Sequence, residues 1–252
     1  SPGLKRSGGR RPQRRGARGG RGRGSRRAEV ATPPPGQRNT RLTIGALNIQ
    51  SLKPKLLELT AEISRLDCDL VLLNETWLRP ATPNRLLVIP GFKISRVDRP
   101  DGSGYGGVAI ITKTDISSST LKPTTSHAPG SLLETHWALL KLDQNRKLIV
   151  CSLYRPPRHS DASLRADFND LESQVQRVLI DHPKVPFVIC GDLNCDMLKD
   201  RTFRARLHLS EFLTTYSLDQ LVSVPTFASG SLLDVCIVKN QELVRECNIS
   251  HC

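Results

Sequence analysis

"PFVICGDLNCDML", residues 186–198, decides how this chain folds. Phe187, Val188, Ile189 and Cys190 form an unbroken apolar run, which predicts a strand buried on both faces. Gly191 then opens at once into Asp192, Asn194 and Asp196, with little that is apolar between them. Such a cluster is a plain turn, a metal site recruiting Cys190 and Cys195, or the catalytic end of a strand. Its company elsewhere in the chain separates these readings.

Working outward, Leu164, Phe168, Leu171, Val175 and Leu179 share one face of a helix predicted over 161–180, which leads into that strand. A further helix over about 202–216 precedes the strand-like "SLLDVCIVK". Near the start of the body, "RLTIGALNIQSL" predicts a strand over about 42–49. Leu56, Leu59, Ile63 and Leu66 follow at helical spacing behind Pro54, and "CDLVLLNETWL" is a second strand. The middle of the chain changes character: "LLVIPGFKISRVD", "GGVAIITK", "LLETHWALLKL" and "KLIVCSLYRPP" are four strand-like runs separated by short polar breaks, as in an antiparallel meander. "ECNISHC" opens one more strand. Mixed strands with helices returning between them predict one α/β (α+β) domain over residues 41–252. Its form is two packed mixed β-sheets flanked by helices, a four-layer α/β sandwich.

Residues 1–40 are different material. Twelve Lys and Arg against Glu29 give them a net charge of +11, leaving only +2 of the chain's +13 for the body. "GGRRPQRRGARGGRGRGSRR" alternates Gly and Arg without apolar periodicity, so it has nothing to bury against the entropy of ordering. It is expected to be a disordered tail, ending in the Pro linker "ATPPPGQRNT". Arg14, Arg15, Arg21 and Arg23 are candidates for nucleic-acid contact, because a polycation binds phosphate backbones by releasing counterions. No apolar region follows the charges as in a secretory signal, and no stretch is long and apolar enough to span a membrane.

Seven cysteines are an odd number, and most lie in apolar runs such as "LIVCSLY" and "DVCIV". They read as reduced thiols acting as small core residues in an intracellular protein. Cys190 and Cys195 have no second Cys or His pair nearby at zinc-ligand spacing.

Several predicted strands end in a polar group: Asn48, Glu75, Tyr154, then Asp192 and Asn194, while Asp234 lies inside "SLLDVCIV". A buried charge is costly unless paired. Strand ends on one edge of a sheet converge, so together these groups predict an acidic pocket of oxygen ligands suited to Mg²⁺. A cation there polarises a phosphate oxygen, while carboxylates activate water and amide or phenol groups donate to the phosphate. Phosphodiester hydrolysis is the chemistry that fits. "GSGYGG" satisfies G-x-G-x-x-G at Gly102, Gly104 and Gly107, but a strand follows it, where a dinucleotide fold needs a helix N-terminus.

"LNIQSL", "LLNETWL", "GGVAI", "YRPP", "GDLN" and "PTF" followed by "SLLDVCIV" resemble, in order and approximate spacing, the exonuclease/endonuclease/phosphatase superfamily. They look most like the endonuclease domain that non-LTR retrotransposons carry ahead of reverse transcriptase. The resemblance implies that Glu75 is the principal Mg²⁺ ligand (Mn²⁺ also possible), with Asn48 in the phosphate and metal cluster. Tyr154 would contact the scissile phosphate, Asp192 would position or activate the water, and Asn194 would orient the phosphate. Arg155, Thr226 and Ser231 would lie against nucleic acid, and Asp234 would support a catalytic His. Cys190 and Cys195 then become bystanders in core and loop, and Asp196 a turn or cap residue. The implied partners are target DNA, element RNA through the tail, and a reverse-transcriptase region downstream. The implied location is the nucleus.

Two departures qualify the resemblance. Gln50 stands where the abasic-site endonucleases have Asp, which argues against a dedicated repair enzyme. The chain also stops at "NISHC", so His251 is expected to precede a missing Asp-His pair, and Ser1 in place of Met fits a fragment. Such a chain should hold Mg²⁺ and DNA but nick poorly, since a lost general acid/base group costs ~10² to 10⁴-fold. The alternatives are a phosphomonoesterase of the same fold and a degenerate nucleic-acid-binding domain.

Overall fold

The computed structural model describes residues 41–123, 128–157, 160–198, 203–227 and 229–249. The tail with Arg14, Arg15, Arg21 and Arg23 lies outside these residues, as does His251. Along the described chain run β1 (Ile44–Asn48), α1 (Leu56–Arg65), β2 (Leu70–Asn74), β3 (Phe92–Val97), β4 (Val108–Lys113), β5 (Ser117–Leu121) and β6 (Glu134–Lys141). Then follow β7 (Lys147–Tyr154), α2 (Asp161–Asp181), β8 (Phe187–Asp192), α3 (Phe203–Tyr216), β9 (Asp219–Gln220) and β10 (Asp234–Val238).

Two sheets result, in the orders β1-β2-β4-β3 and β5-β6-β7-β8-β10-β9. Parallel neighbours need a long crossover. The two parallel pairs, β1 with β2 and β7 with β8, are the two joined by helices, α1 and α2. The Ser160 hydroxyl accepts from the Ser163 N–H and starts α2.

The expected meander is not one unit. β3 and β4 pair in the first sheet, whereas β6 and β7 pair in the second, so the chain changes sheets between them. β5, "SSSTL", was not predicted, because an edge strand with a largely exposed, serine-rich surface carries no apolar alternation. The strand expected from "ECNISHC" does not form over its described part, residues 246–249.

Side-chain alternation sorts the core into three layers of contact. Leu59 and Ile63 of α1 pack with Val71, Leu73, Ala109 and Ile111 on the outer face of the first sheet. Phe168, Leu171, Val175 and Phe212 from α2 and α3 cover Trp137, Ile149, Cys151, Phe187 and Ile189 on the outer face of the second. Between the sheets, Leu70, Leu72 and Ile110 meet Ala138, Leu140, Val150 and Cys190. The order is helix, sheet, sheet, helix.

Polar bridges cross the inter-sheet layer. Ser152 Oγ donates to the Leu73 carbonyl at 2.7 Å, and Ser95 Oγ lies 2.6 Å from His136 Nε2. His136 is 3% exposed, and burial pushes its imidazole down to about 4. The neutral ring is therefore the folded form. The unfolded ring binds a proton near 6.5 and the folded one near 4, so stability is lost as pH falls across that window, by about 3 kcal/mol. Urea midpoints at pH 7.5 and 4.5 should show a smaller acid-side loss in His136→Gln than in the native chain. Equal losses would remove His136 from the account.

Candidate active site

Alternation also builds the polar end of the sandwich. The inter-sheet face of β1 and β2 ends in Asn48 and Asn74, and that of β7 and β8 ends in Tyr154 and Asp192. The antiparallel strands β6 and β10 begin on the same face, at the same end, with Glu134 and Asp234. These six strands thus each place one polar group at the same rim of the inter-sheet layer.

Three of the expected residues meet directly. Asn48 Nδ2 donates to Glu75 Oε1 at 2.9 Å and to Asp192 Oδ2 at 3.0 Å. Glu75 follows β2 with φ 55° and is held from its other side by Trp77 Nε1, which donates to Oε2 at 3.1 Å. Asp192 Oδ1 accepts from the Asn194 N–H at 2.7 Å. With the Asn74 amide oriented so that its nitrogen donates to the Leu47 carbonyl, its oxygen accepts from the Asp192 N–H at 3.2 Å. Asn74 therefore ties the first sheet to the backbone of the residue that matters most in the second.

Asp192 pairs across the sheet with Asp234. Hydrogen bonds from Leu193 N–H to Leu233 O and from Lys239 N–H to Phe187 O, both 3.0 Å, show which rungs of the β8–β10 ladder are bonded. Asp192 and Asp234 occupy a non-hydrogen-bonded rung, where facing Cα atoms lie about 4.5 Å apart and side chains are closest. Asp192 is 5% exposed, and its carboxyl is pushed up to about 7. Burial is the chief cause. The Asn194 N–H opposes it, the charge of Asp234 adds to it, the Asn48 amide opposes, and Glu75 adds again. Burial also raises Asp234, against a hydrogen bond from Thr226. The Tyr154 phenol is raised by burial and then by Glu75, Asp192 and Glu134, so it stays protonated.

Asn194, at φ 48°, donates one amide hydrogen to the Arg155 carbonyl at 2.9 Å, linking the turns that follow β7 and β8. Thr226 Oγ1 accepts from the N–H groups of Leu233 and Asp234, at 3.2 Å each. The Ser231 carbonyl accepts from Thr226 and Phe227, closing a tight loop beside Asp234. Asp196 is a buried cap, its Oδ1 accepting from Leu198 and Leu232, and Cys195 lies in the loop after β8, itself buried.

Arg155 requires a correction. It was expected at the nucleic-acid surface, but it is 1% exposed, and Nε donates to Asp167 Oδ2 at 2.9 Å. Its Nη1 reaches the Leu193 carbonyl at 3.4 Å and Cys195 Sγ at 3.5 Å. The side chain turns inward beneath α2 and braces the loop behind Asp192. Replacing one member of a buried ion pair costs about 3–5 kcal/mol. Arg155→Met should lower the urea midpoint accordingly, and adding Asp167→Leu should recover part of the loss. An unchanged midpoint in the single variant would contradict this.

Trp77, Asn74 and the Arg99–Glu134 pair were not singled out from sequence. Glu134 Oε1 accepts from Arg99 Nε and Oε2 from the Gly107 N–H, both at 2.5 Å, and Glu134 faces Tyr154 on the neighbouring strand. Gly107 has φ 85°, and a Cβ there would lie 2.5 Å from Thr76 Oγ1. The glycines of "GSGYGG" thus let a loop close over Glu134 before β4 begins. Asn74 was legible as the polar residue that ends the continuous apolar run "LVLLN". Trp77 gave no signal beyond its nearness to Glu75.

The donor set suits a hard cation. Asn48 Oδ1 is buried without a hydrogen-bond partner among the described residues, while its amide nitrogen holds two carboxylates together. Mg²⁺ takes oxygen ligands and is commonly held by one or two carboxylates. Glu75, Asn48 and Asp192 offer such oxygens.

A four-layer α/β sandwich with a carboxylate and amide pocket at one end of its inter-sheet layer defines the class of protein. The sequence profile of the Endonuclease/Exonuclease/phosphatase family matches residues 45–249. The chain belongs to that family. Among solved structures, it is similar to the human Nocturnin catalytic domain with bound sulfate (TM-score 0.62, 15% identity, 79% of this chain and 82% of that one). It is also similar to the endonuclease domain of TRAS1, a telomere-specific non-LTR retrotransposon (0.57, 18%, 80% and 86%). The Xenopus laevis APE2 catalytic domain is a third (0.57, 18%, 79% and 82%). At these identities the likeness is one of fold. Sequence comparison with the curated proteins finds no match.

Proposed function

We propose that the chain is a Mg²⁺-dependent DNA endonuclease domain of a retrotransposon polyprotein, hydrolysing a phosphodiester to nick target DNA and prime reverse transcription. The observation that carries this is the Asn48 amide bridging Glu75 and Asp192 while its own oxygen lacks a partner among the described residues. Glu75 and Asn48 would hold Mg²⁺, or Mn²⁺, which supplies polarisation of the phosphate and stabilises the charge that grows on it. Asp192, its carboxyl raised by burial among other acids, would take a proton from the attacking water, and the cation would draw it back toward the ionised form a base needs. Tyr154, kept protonated, donates to a phosphate oxygen. The loop of Thr226 and Ser231 borders the DNA path beside Asp234. The Arg/Gly tail grips element RNA or target DNA by its charge, and such work places the protein in the nucleus. The Arg/Gly tail and the retroelement-like motif set support this reading over a phosphomonoesterase, and the TRAS1 endonuclease domain shares the fold.

The test pairs binding with activity. Mg²⁺ should raise the melting temperature of the native chain and not of Glu75→Gln, and supercoiled plasmid should be nicked, slowly, with Mg²⁺ and not in EDTA. A native melting temperature indifferent to Mg²⁺ would overturn the metal assignment. Phosphate released from monoesters without plasmid nicking would replace the endonuclease with a phosphatase.

A further inference from the structure

The carboxylate of Glu75 is gripped on both oxygens. Asn48 Nδ2 donates to Oε1 at 2.9 Å from the end of β1, and Trp77 Nε1 donates to Oε2 at 3.1 Å from two residues along the chain. A single donor would leave the group free to swing about its last torsion, which is a broad one. Two donors on opposite oxygens fix the plane of the carboxylate. The indole is itself held in place. The Trp77 N–H donates to the Gly106 carbonyl at 2.9 Å and the Thr76 N–H to that of Gly107 at 3.2 Å, while the carbonyls of Glu75 and Thr76 accept from the N–H groups of Ser51 and Leu52. The rings of Trp77 and Tyr105 meet edge to face, with centroids 5.3 Å apart. Glu75 and Trp77 are both left-handed, at φ 55° and 53°, with buried Thr76 between them. Such backbone is unfavourable for a residue as bulky as Trp, and it persists where the surroundings over-determine it. Here backbone hydrogen bonds from two sides do so, and they deliver an indole N–H to the carboxylate two residues earlier.

We propose that the Trp77 indole N–H determines which cation the carboxylate pocket takes: by holding Glu75 rigid, it makes the pocket select Mg²⁺ over Ca²⁺. This rests on the reading that Glu75 is the cation's ligand. Mg²⁺ demands near-ideal octahedral geometry at about 2.0–2.1 Å, whereas Ca²⁺ accepts about six to eight oxygens at longer range, with carboxylates on one oxygen or both. A carboxylate of fixed plane suits the first ion and handicaps the second, because it cannot turn to wrap the larger one. Without the indole N–H, Glu75 regains its end torsion. Mg²⁺ then loses a preorganised ligand, and Ca²⁺ gains an adaptable one. Trp77 acts through Glu75 and is a positioning residue.

The full native chain is compared with Trp77→Phe, which keeps a ring against Tyr105 and loses the N–H. Melting temperature is followed as MgCl₂ or CaCl₂ is titrated without DNA at constant ionic strength, and half-saturating concentrations are read from the rise. Removing a hydrogen bond behind a metal ligand costs about 10- to 100-fold in affinity, so Mg²⁺ should weaken by about that factor and Ca²⁺ by less than about 3-fold. The ratio of the two is the readout, since a merely loosened fold would weaken both ions alike. A second measurement needs only the native chain. Its other tryptophan, Trp137, donates from Nε1 to Gln174 Oε1 at 2.8 Å in the helix-covered core. On saturation with Mg²⁺, the indole N–H resonance with through-space contacts to Tyr105 should move, and that of Trp137 should stay. An unchanged ratio in Trp77→Phe, or a Trp77 resonance indifferent to Mg²⁺ in a native chain that the ion stabilises, would overturn the proposal and leave the metal assignment standing. A native chain that neither ion stabilises would overturn both.

Discussion

Asp192→Asn is expected to abolish nicking and, at neutral pH without divalent cation, to make the protein more stable. Removing a general base costs ~10² to 10⁴-fold in rate. The gain in stability follows from the same burial that tunes the group. The Asp192 carboxyl rises from an ordinary 3.8 to about 7 on folding, so its contribution to stability is intact below 3.8 and is lost as pH climbs through 7. A shift of that size corresponds to about 4 kcal/mol, an upper figure that Asn recovers in part. Asn48 can adapt to the new amide, since its Oδ1 has no partner among the described residues and can accept from it. Urea denaturation in EDTA at pH 7.5 should show a higher midpoint for the variant, and at pH 4 the two chains should converge. His136 pulls the opposite way over nearly the same interval, so the native profile is flattened and the variant should lose stability more steeply on the acid side. A variant less stable than the native chain at pH 7.5 would contradict this account of the site.

Gly191→Ala is expected to be the most disruptive Gly→Ala change among the described residues. Gly191 has φ 152°, and a Cβ there would lie 1.8 Å from the Leu153 carbonyl oxygen and 2.7 Å from its carbon. Those atoms are backbone of the adjacent parallel strand β7, paired with Gly191 in register, so no rotamer can yield. The sheet must open between β7 and β8, beneath Tyr154 and Asp192. A cost on the order of 5 kcal/mol is reasonable for a clash with no side-chain escape, enough to unfold much of a marginally stable domain. Far-ultraviolet circular dichroism and a urea titration would measure it. A midpoint within 0.3 M of the native chain would show that the strands separate more easily than their hydrogen bonding implies.

Much of the fold was legible because long apolar periods override local detail. The strand through Phe187–Asp192 and the helices behind Leu164–Leu179 and Leu56–Ile63 emerged close to their observed bounds. The change of sheet between β4 and β6 was not legible, since pairing partners are chosen by tertiary contact and the runs themselves look alike. Asn48, Glu75 and Asp192 could be placed in one pocket from their positions at strand ends, but the amide that joins them could not. Arg155 was placed by the resemblance, and the carboxylate that turns it inward, Asp167, lies on a helix that begins at residue 161, where no local pattern links the two.

The alternation that gathers the acids at one rim has another consequence, for the act of folding. Sliding β8 by one residue against β7 would reverse every side chain, turning Asp192 toward α2 and Phe187 and Ile189 into the inter-sheet layer. The same slip in β10 would carry Asp234 into the helix-covered core. Each misaligned sheet would have to desolvate a carboxylate with no amide to meet it. The polar rim therefore proofreads strand alignment, and the groups placed for chemistry also make the wrong registers expensive.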